Sequence, residues 1–376
     1  MGPIEKTCRV GVLSLALMLI AGGAQAQLKT EVDVSATFGR VTLETARGPS
    51  TKTSTSEFMA VERVELALSG GVGDFSSRVR LLTEDRYDRF GANPGVVMDV
   101  QFLGHELTWK ANKEVSVTLS GNSLGVASLD PKSGMNLFHG VIAPNTATYD
   151  DEGYAGQGRG YGLINLEYAM DKNTVVGLAV FTDCISGFCD ALLGPPPARG
   201  AGGGGGPVAI TPNAERQTKV VHGRKALDTM DFSAGYIMGS GIVRNAPAAD
   251  ITIDTKGFQV GGTLKTKEYT AGLDYMSNTT RYPTPKPLGM EDQSLSAFSL
   301  GLEMNAIHAV YFSGKVNNVG GIKNAAISSS SIVVGYGVPV GKTGTIGGEY
   351  RTESIAVTGL AKTTDTSIAF GMKSRF

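Results

Sequence analysis

The chain has 376 residues, 34 of them basic and 35 acidic, for a net charge of −1. That balance excludes a protein whose main partner is a nucleic-acid backbone, because no basic excess is available to neutralise phosphates. Hydrophobic residues make up 41%, charged residues only 18%, and 51 residues are glycine, a composition of strands and turns that is too polar for a bundle of membrane helices.

The first element is residues 1–26. Lys6 and Arg9 give a basic start, residues 10–21 an apolar run, and Ala24-Gln25-Ala26 the small residues that a signal peptidase reads. This pattern predicts a secretory signal peptide cleaved after Ala26, too short for a spanning helix. Cys8 leaves with it. The mature chain, 27–376, holds no other apolar stretch of about 18 residues. An exported chain of this kind is periplasmic, secreted, or a closed transmembrane barrel.

Strand-length segments of alternating polarity follow. They are predicted to start near Lys29, Glu57, Asp74, Val96, Glu114, Gly160, Thr174, Asp228, Ile242, Thr255, Glu268, Gln293, Ile307, Ala326, Gly344 and Thr364, sixteen in all. Phe258, Val260 and Leu264 alternate with Gln259, Gly261 and Thr263. Phe298, Leu300 and Leu302 alternate with Ser299, Gly301 and Glu303. Each strand therefore has one greasy and one polar face. The phase changes between Val100-Phe102 and Leu107-Trp109, which predicts a bulge. Short turns are expected at 111–113, 171–173, 239–241, 265–267, 305–306 and 339–342. Longer connections are expected at 44–56, 85–95, 122–159, 183–226, 245–254, 278–293, 317–325 and 353–363. An even strand count, short and long connections in turn, and a bilayer's lack of partners for unpaired backbone groups together favour an antiparallel transmembrane β-barrel, all-β, with 16 strands. The rival soluble sandwich would turn the greasy faces inward instead.

The signal, the sixteen alternating strands and the terminal phenylalanine resemble the outer-membrane porins of Gram-negative bacteria. The resemblance covers the mature chain as a pattern and implies a location in the cell outer membrane. It also implies passive diffusion of small hydrophilic solutes and ions, no enzymatic activity, no cofactor and no metal. It further implies a homotrimer among outer-membrane lipids and lipopolysaccharide. Ile368, Phe370, Met372 and Phe376 match the segment that the barrel-assembly machinery reads in that family, whereas Ser374 departs from it. The position of the pore-narrowing loop falls at 122–159, with the acids Asp130, Asp150, Asp151 and Glu152. By strand parity Arg63, Arg78, Arg80, Glu349, Arg351 and Lys373 point inward, and the early-strand arginines are expected to face those loop acids across a constriction.

Other patterns carry less. Gly121-Asn122-Ser123-Leu124-Gly125 matches a nucleophile elbow but lies in a strand that runs into a loop, without a triad. The segment 335–343 suggests a phosphate loop, yet Tyr336 stands where its first glycine is required. His105, His139, His222 and His308 are isolated, so a catalytic zinc has no support. Cys184 and Cys189 are expected to form a disulfide in an exported protein. The run 195–207, PPPARGAGGGGGP, belongs in a long Gly/Pro-rich outer loop. The alternative function is a structural or adhesive barrel with a plugged lumen.

Overall fold

In a computed structural model, which describes residues 29–88, 95–121, 129, 132–133, 161–184, 214–243, 251–283, 286, 291–319, 322–359 and 361–376, the chain is a closed antiparallel barrel. Its strands are β1 (Lys29–Arg47), β2 (Ser50–Val72), β3 (Phe75–Asp88), β4 (Gly95–Lys110), β5 (Val115–Gly121), β6 (Tyr161–Ala169), β7 (Thr174–Cys184) and β8 (Ala214–Ala226). They continue as β9 (Met230–Val243), β10 (Ile251–Lys265), β11 (Tyr269–Arg281), β12 (Gln293–Met304), β13 (Ile307–Asn317), β14 (Ala326–Val340), β15 (Gly344–Val357) and β16 (Ala361–Arg375). Each strand pairs with its neighbours in sequence, and β1 pairs with β16 to close the ring.

Alternation sets which way each side chain points. Phe258, Val260, Leu273, Tyr275, Leu300, Ile332, Val334, Ile346, Ile368 and Phe370 stand on the outer face and are exposed. Directly paired residues share a face, so Val260 lies beside Tyr275, and Tyr275 beside Phe298, in one apolar belt. Gln259, Asp274, Ser299, Ser331, Arg351 and Ser367 face inward and are buried. Oil outside and polarity inside is the arrangement a bilayer selects, and a soluble sandwich would invert it.

The closing seam is tight. Phe38 and Phe370 pair across it with ring centroids 6.0 Å apart. Val32 and Phe376 exchange two backbone hydrogen bonds, of 3.0 and 2.8 Å. The turns at the short-loop end are built from local side-chain caps. Asn112 Oδ1 accepts from the N–H groups of Glu114 and Val115, Asp171 Oδ1 from Asn173, and Thr266 Oγ1 from Glu268 and Tyr269. Gly73, at φ 57°, turns β2 into β3 in a conformation that side-chain-bearing residues resist. A register shift opposite Arg80 and Leu81 places the expected bulge in β4, between Phe102 and Gly104.

Four expectations about the connections are corrected. The segment 44–56 is not a loop, because β1 and β2 pair up to Arg47 and Ser50. Likewise 353–363 is mostly strand, since Val357 pairs with Ala361. The range 183–226 contains β8. The segment 239–241 is no turn, because Ser240 pairs with Gln217 on one side and Asp254 on the other, so Ile242 starts no new strand. Omitting β8 and dividing β9 offset each other, which left the count of sixteen right.

Candidate functional site

The interior is the part of the barrel that can act on solutes, and its first wall is built by β1–β3. Register puts Arg80 beside Ala67 and Arg78 beside Ser69, on the side of Lys29, Glu31 and Glu65. Arg80 donates from Nε and Nη2 to Glu65 Oε1 at 2.9 and 2.7 Å. Glu31 is shared between Lys29 Nζ at 2.6 Å and Arg78 Nη2 at 3.8 Å. Ser35 registers with Lys373, which extends the inner patch across the seam, and Arg63 stands at the register position beside Ser35. The early arginines therefore have acids on their own wall. Arg80 is tied to Glu65 and Arg78 lies near Glu31, while the loop acids expected across the lumen from them lie outside the described residues. Arg78 and Arg80 are half-exposed on the lumen side of this wall.

A second charged group lies on β13–β16. Arg351 is wholly buried and bonds Glu353, while His308 Nε2 meets Glu349 Oε1 at 2.8 Å. Glu353 pairs across the ladder with Asp365. His308 reaches Glu349 by lying over Gly335, where an added Cβ would come within 2.5 Å of the ring. The same device recurs on β6–β8, where His222 lies over Gly177 and meets Asn165 Oδ1 at 2.8 Å.

The third feature is the segment within 122–159. Leu129 is 1% exposed and packs with inward-facing Leu163, Phe181, Val220, Ile237 and Met276. Its carbonyl accepts from Gln259 Nε2 at 2.7 Å. The backbone N–H groups of Lys132 and Ser133 donate to the Asp274 carboxylate at 2.8–3.0 Å, and the Ser133 and Ser299 hydroxyls bond each other. These described residues of the loop thus lie inside the barrel, against β9–β12. In the ring, β11 and β3 are half a turn apart. Arg80 and Asp274 also stand at the same step of their strands, counted from Phe75 and Tyr269. The loop contact therefore faces the arginine wall across the lumen at a similar depth.

The interior is not uniformly polar, as simple alternation would have it. Leu163, Phe181, Val220, Ile237, Leu295 and Phe312 point inward and are buried, in a cluster that takes Leu129 as one of its members. Parity alone misses this patch because its residues are interspersed with Ser, Thr, Asn and Gly on the same faces. Among the described residues, the inner face from mid-height toward the long-connection end is buried on most strands. At the short-turn end Lys29, Arg78, Glu106 and Arg224 remain open.

Asp130, Asp150, Asp151, Glu152 and Cys189 lie outside the described residues, as do the signal segment and 195–207. Cys184 is the last residue of β7. Ile368, Phe370, Met372 and Phe376 form the outward stripe expected of them. Among the described residues no cluster of metal-ligating side chains is present.

No protein-family model and no curated protein sequence matches this chain. Solved structures do. The outer membrane channel DcaP of Acinetobacter baumannii superposes with a TM-score of 0.56 at 12% identity, covering 94% of this chain and 98% of that one. OmpF of Salmonella typhi, in complex with daunomycin, gives 0.53 at 11%, covering 93% and 97%. The trimer form of OmpT, an outer membrane protein of Vibrio cholerae, gives 0.50 at 10%, covering 92% and 99%. At such identities the likeness is one of fold: this chain has the barrel architecture of outer-membrane porins.

Proposed function

We propose that this protein is an outer-membrane channel of porin type through which small hydrophilic solutes and ions diffuse passively. The observation that carries the reading is the closed, oil-faced barrel whose interior sets Leu129, Lys132 and Ser133 opposite a wall of half-exposed arginines. A polar solute trades hydration for the wall's charges and hydroxyls, whereas an apolar one would have to strip ordered water from them. Function of this kind uses no catalysis, cofactor or metal. The trimer form of the Vibrio protein supports a homotrimer here. Lys219 and Lys256, exposed on the outer face on either side of Met238, suit the anionic headgroups of lipopolysaccharide and other outer-membrane lipids. The stripe ending in Phe376 suits recognition by the assembly machinery.

Liposome swelling tests the reading. Vesicles holding the purified barrel should swell in small sugars. In planar bilayers, Arg78→Ala with Arg80→Ala should shift selectivity toward cations, because Glu31 and Glu65 keep their charge. Unchanged conductance and selectivity would remove the arginine wall from the constriction. A barrel with a plugged lumen, structural or adhesive in role, is favoured by one observation, the burial of Arg351, Glu353 and Asp365 on the inner wall. Absence of swelling would select it.

A further inference from the structure

Side chains paired directly across a ladder share a face about 5 Å apart, close enough for opposite charges to join. One rung of the inner wall departs from this. It runs Lys29, Ser69, Arg78, Glu106 and Ser120 across β1–β5. Arg78 and Glu106 are direct partners in it, yet no ion pair joins them. Arg78 leans the other way, with Nη2 3.8 Å from Glu31 Oε2 on β1, and Glu106 has no salt bridge among the described residues. Glu31 is in turn held by Lys29 Nζ at 2.6 Å. Beside the two unjoined charges lies a cavity of about 380 Å³, to which Ser69, Ser76 and Thr108 add hydroxyls. It lies toward the short-turn end, where Arg78 and Glu106 are both exposed. Its size is that of a small-molecule site.

The charges at the cavity cancel. Lys29 and Glu31 neutralise each other at hydrogen-bond distance, which leaves one guanidinium and one carboxylate on neighbouring strands. An anion placed there gains Arg78 but meets Glu106 and Glu31. A cation gains Glu106 but meets Arg78 and Lys29. A solute with both signs on a short skeleton meets each charge with its opposite. Its carboxylate can accept the parallel N–H groups of the guanidinium, and its ammonium can donate to the Glu106 carboxylate. The strands are about 4.8 Å apart, a spacing that a short aliphatic skeleton spans. Both charges are open to water, so binding is weak, as a passage requires of a solute that must leave as readily as it enters.

We propose that this cavity binds small zwitterions of the amino-acid type, with Arg78 taking the carboxylate and Glu106 the ammonium. As a station on a solute's path the site rests on the channel reading; as a binding site it does not.

Saturation-transfer NMR on the detergent-solubilised full chain tests the site without any current. The probes are β-alanine, propionate and propylamine, which have carbon chains of equal length and differ in charge. β-Alanine should bind saturably in the millimolar range, and each single-charge probe about tenfold more weakly. Arg78→Gln and Glu106→Gln, each verified as folded by heat-modifiable migration, should each weaken β-alanine binding about tenfold. Lys267→Gln, at an exposed turn tip, should leave it unchanged. No binding of β-alanine to the parent, or undiminished binding to both folded variants, overturns the site. Propionate that binds as tightly as β-alanine, or a loss confined to Arg78→Gln, reveals a plain anion site and overturns the proposal as well. A second arm reads the path: in planar bilayers, β-alanine added on the short-turn side should interrupt single-channel current in the parent and not in Glu106→Gln. Uninterrupted current in a parent that binds β-alanine removes the cavity from the solute's path. A parent that conducts but binds no β-alanine loses the site and keeps the channel reading, and one that binds but does not conduct does the reverse.

Discussion

Single residues of this barrel act mostly through short-range geometry. Asp171 is an example at the short-turn end. Its carboxylate accepts the Asn173 N–H, with a further hydrogen bond from Thr174, and these donors hold its pKa below the usual aspartate value. The folded-state pKa is depressed, so the stabilisation of the turn is complete above the ordinary carboxylate range and fades as pH falls through the lowered value. NMR titration of the detergent-solubilised barrel should show Asp171 protonating at lower pH than a free aspartate, with the Asn173 amide losing exchange protection at the same point. An ordinary midpoint would contradict the capping role. His222 and His308 add a second residue-scale lesson. Each reaches across a glycine to a partner two strands away, an arrangement that neither histidine advertises in its local sequence.

At the scale of elements, the last strand carries a prediction. Phe376 is held by paired backbone bonds to Val32, next to a β1–β16 ladder that runs from Arg375 to Lys362. Deleting Phe376 removes both bonds and the last apolar ring of the outward stripe. The variant should reach the membrane as folded barrel in clearly lower yield, scored by heat-modifiable mobility of cell-envelope fractions. An equal yield would show that the stripe from Ile368 to Met372 suffices. Strand legibility followed local pattern. Alternation was clear in β10, β12, β14 and β16, where one face is apolar at almost every step. It failed in β8, because Val220 faces in while Val221 faces out and the outer row is broken by Lys219, Gly223 and Lys225. Gly239-Ser240-Gly241 has the composition of a turn, but β8 and β10 pair with it on both sides and hold it extended.

For the whole molecule, the decisive property is the reversal of polarity between faces. Leu300 lies in the outer belt beside Leu273 and Tyr311. Leu300→Arg should destabilise the barrel in lipid vesicles by about 2–4 kcal/mol if that position lies near the bilayer midplane. Urea titration of vesicle-inserted protein checks this, and a neutral outcome would place Leu300 outside the hydrocarbon. The barrel class was legible because its signal repeats along the chain in every strand. The contact between the loop and β11 was not, since 142 residues separate Lys132 from Asp274, and nothing local in either segment names the other. The acids expected in that loop drew attention by their charge. The contacts the structure describes for that loop are made by the Lys132 and Ser133 amides, the Ser133 hydroxyl, and the carbonyl and side chain of Leu129.

The wall is also uneven in height, and this has a practical side. Beyond Phe38 the β1–β2 hairpin continues to a tip at Gly48 and Pro49, its outer face turning to Arg40, Thr42, Glu44, Thr53, Thr55 and Glu57, with Thr42 and Thr55 in hydroxyl contact at 3.3 Å. Such a stretch is wetted on its outward side and has no place in hydrocarbon. In a cell it would stand clear of the hydrocarbon like a fin. Its tip, away from Asp274 and from the arginines, is the natural point at which to splice a short epitope for display on living bacteria.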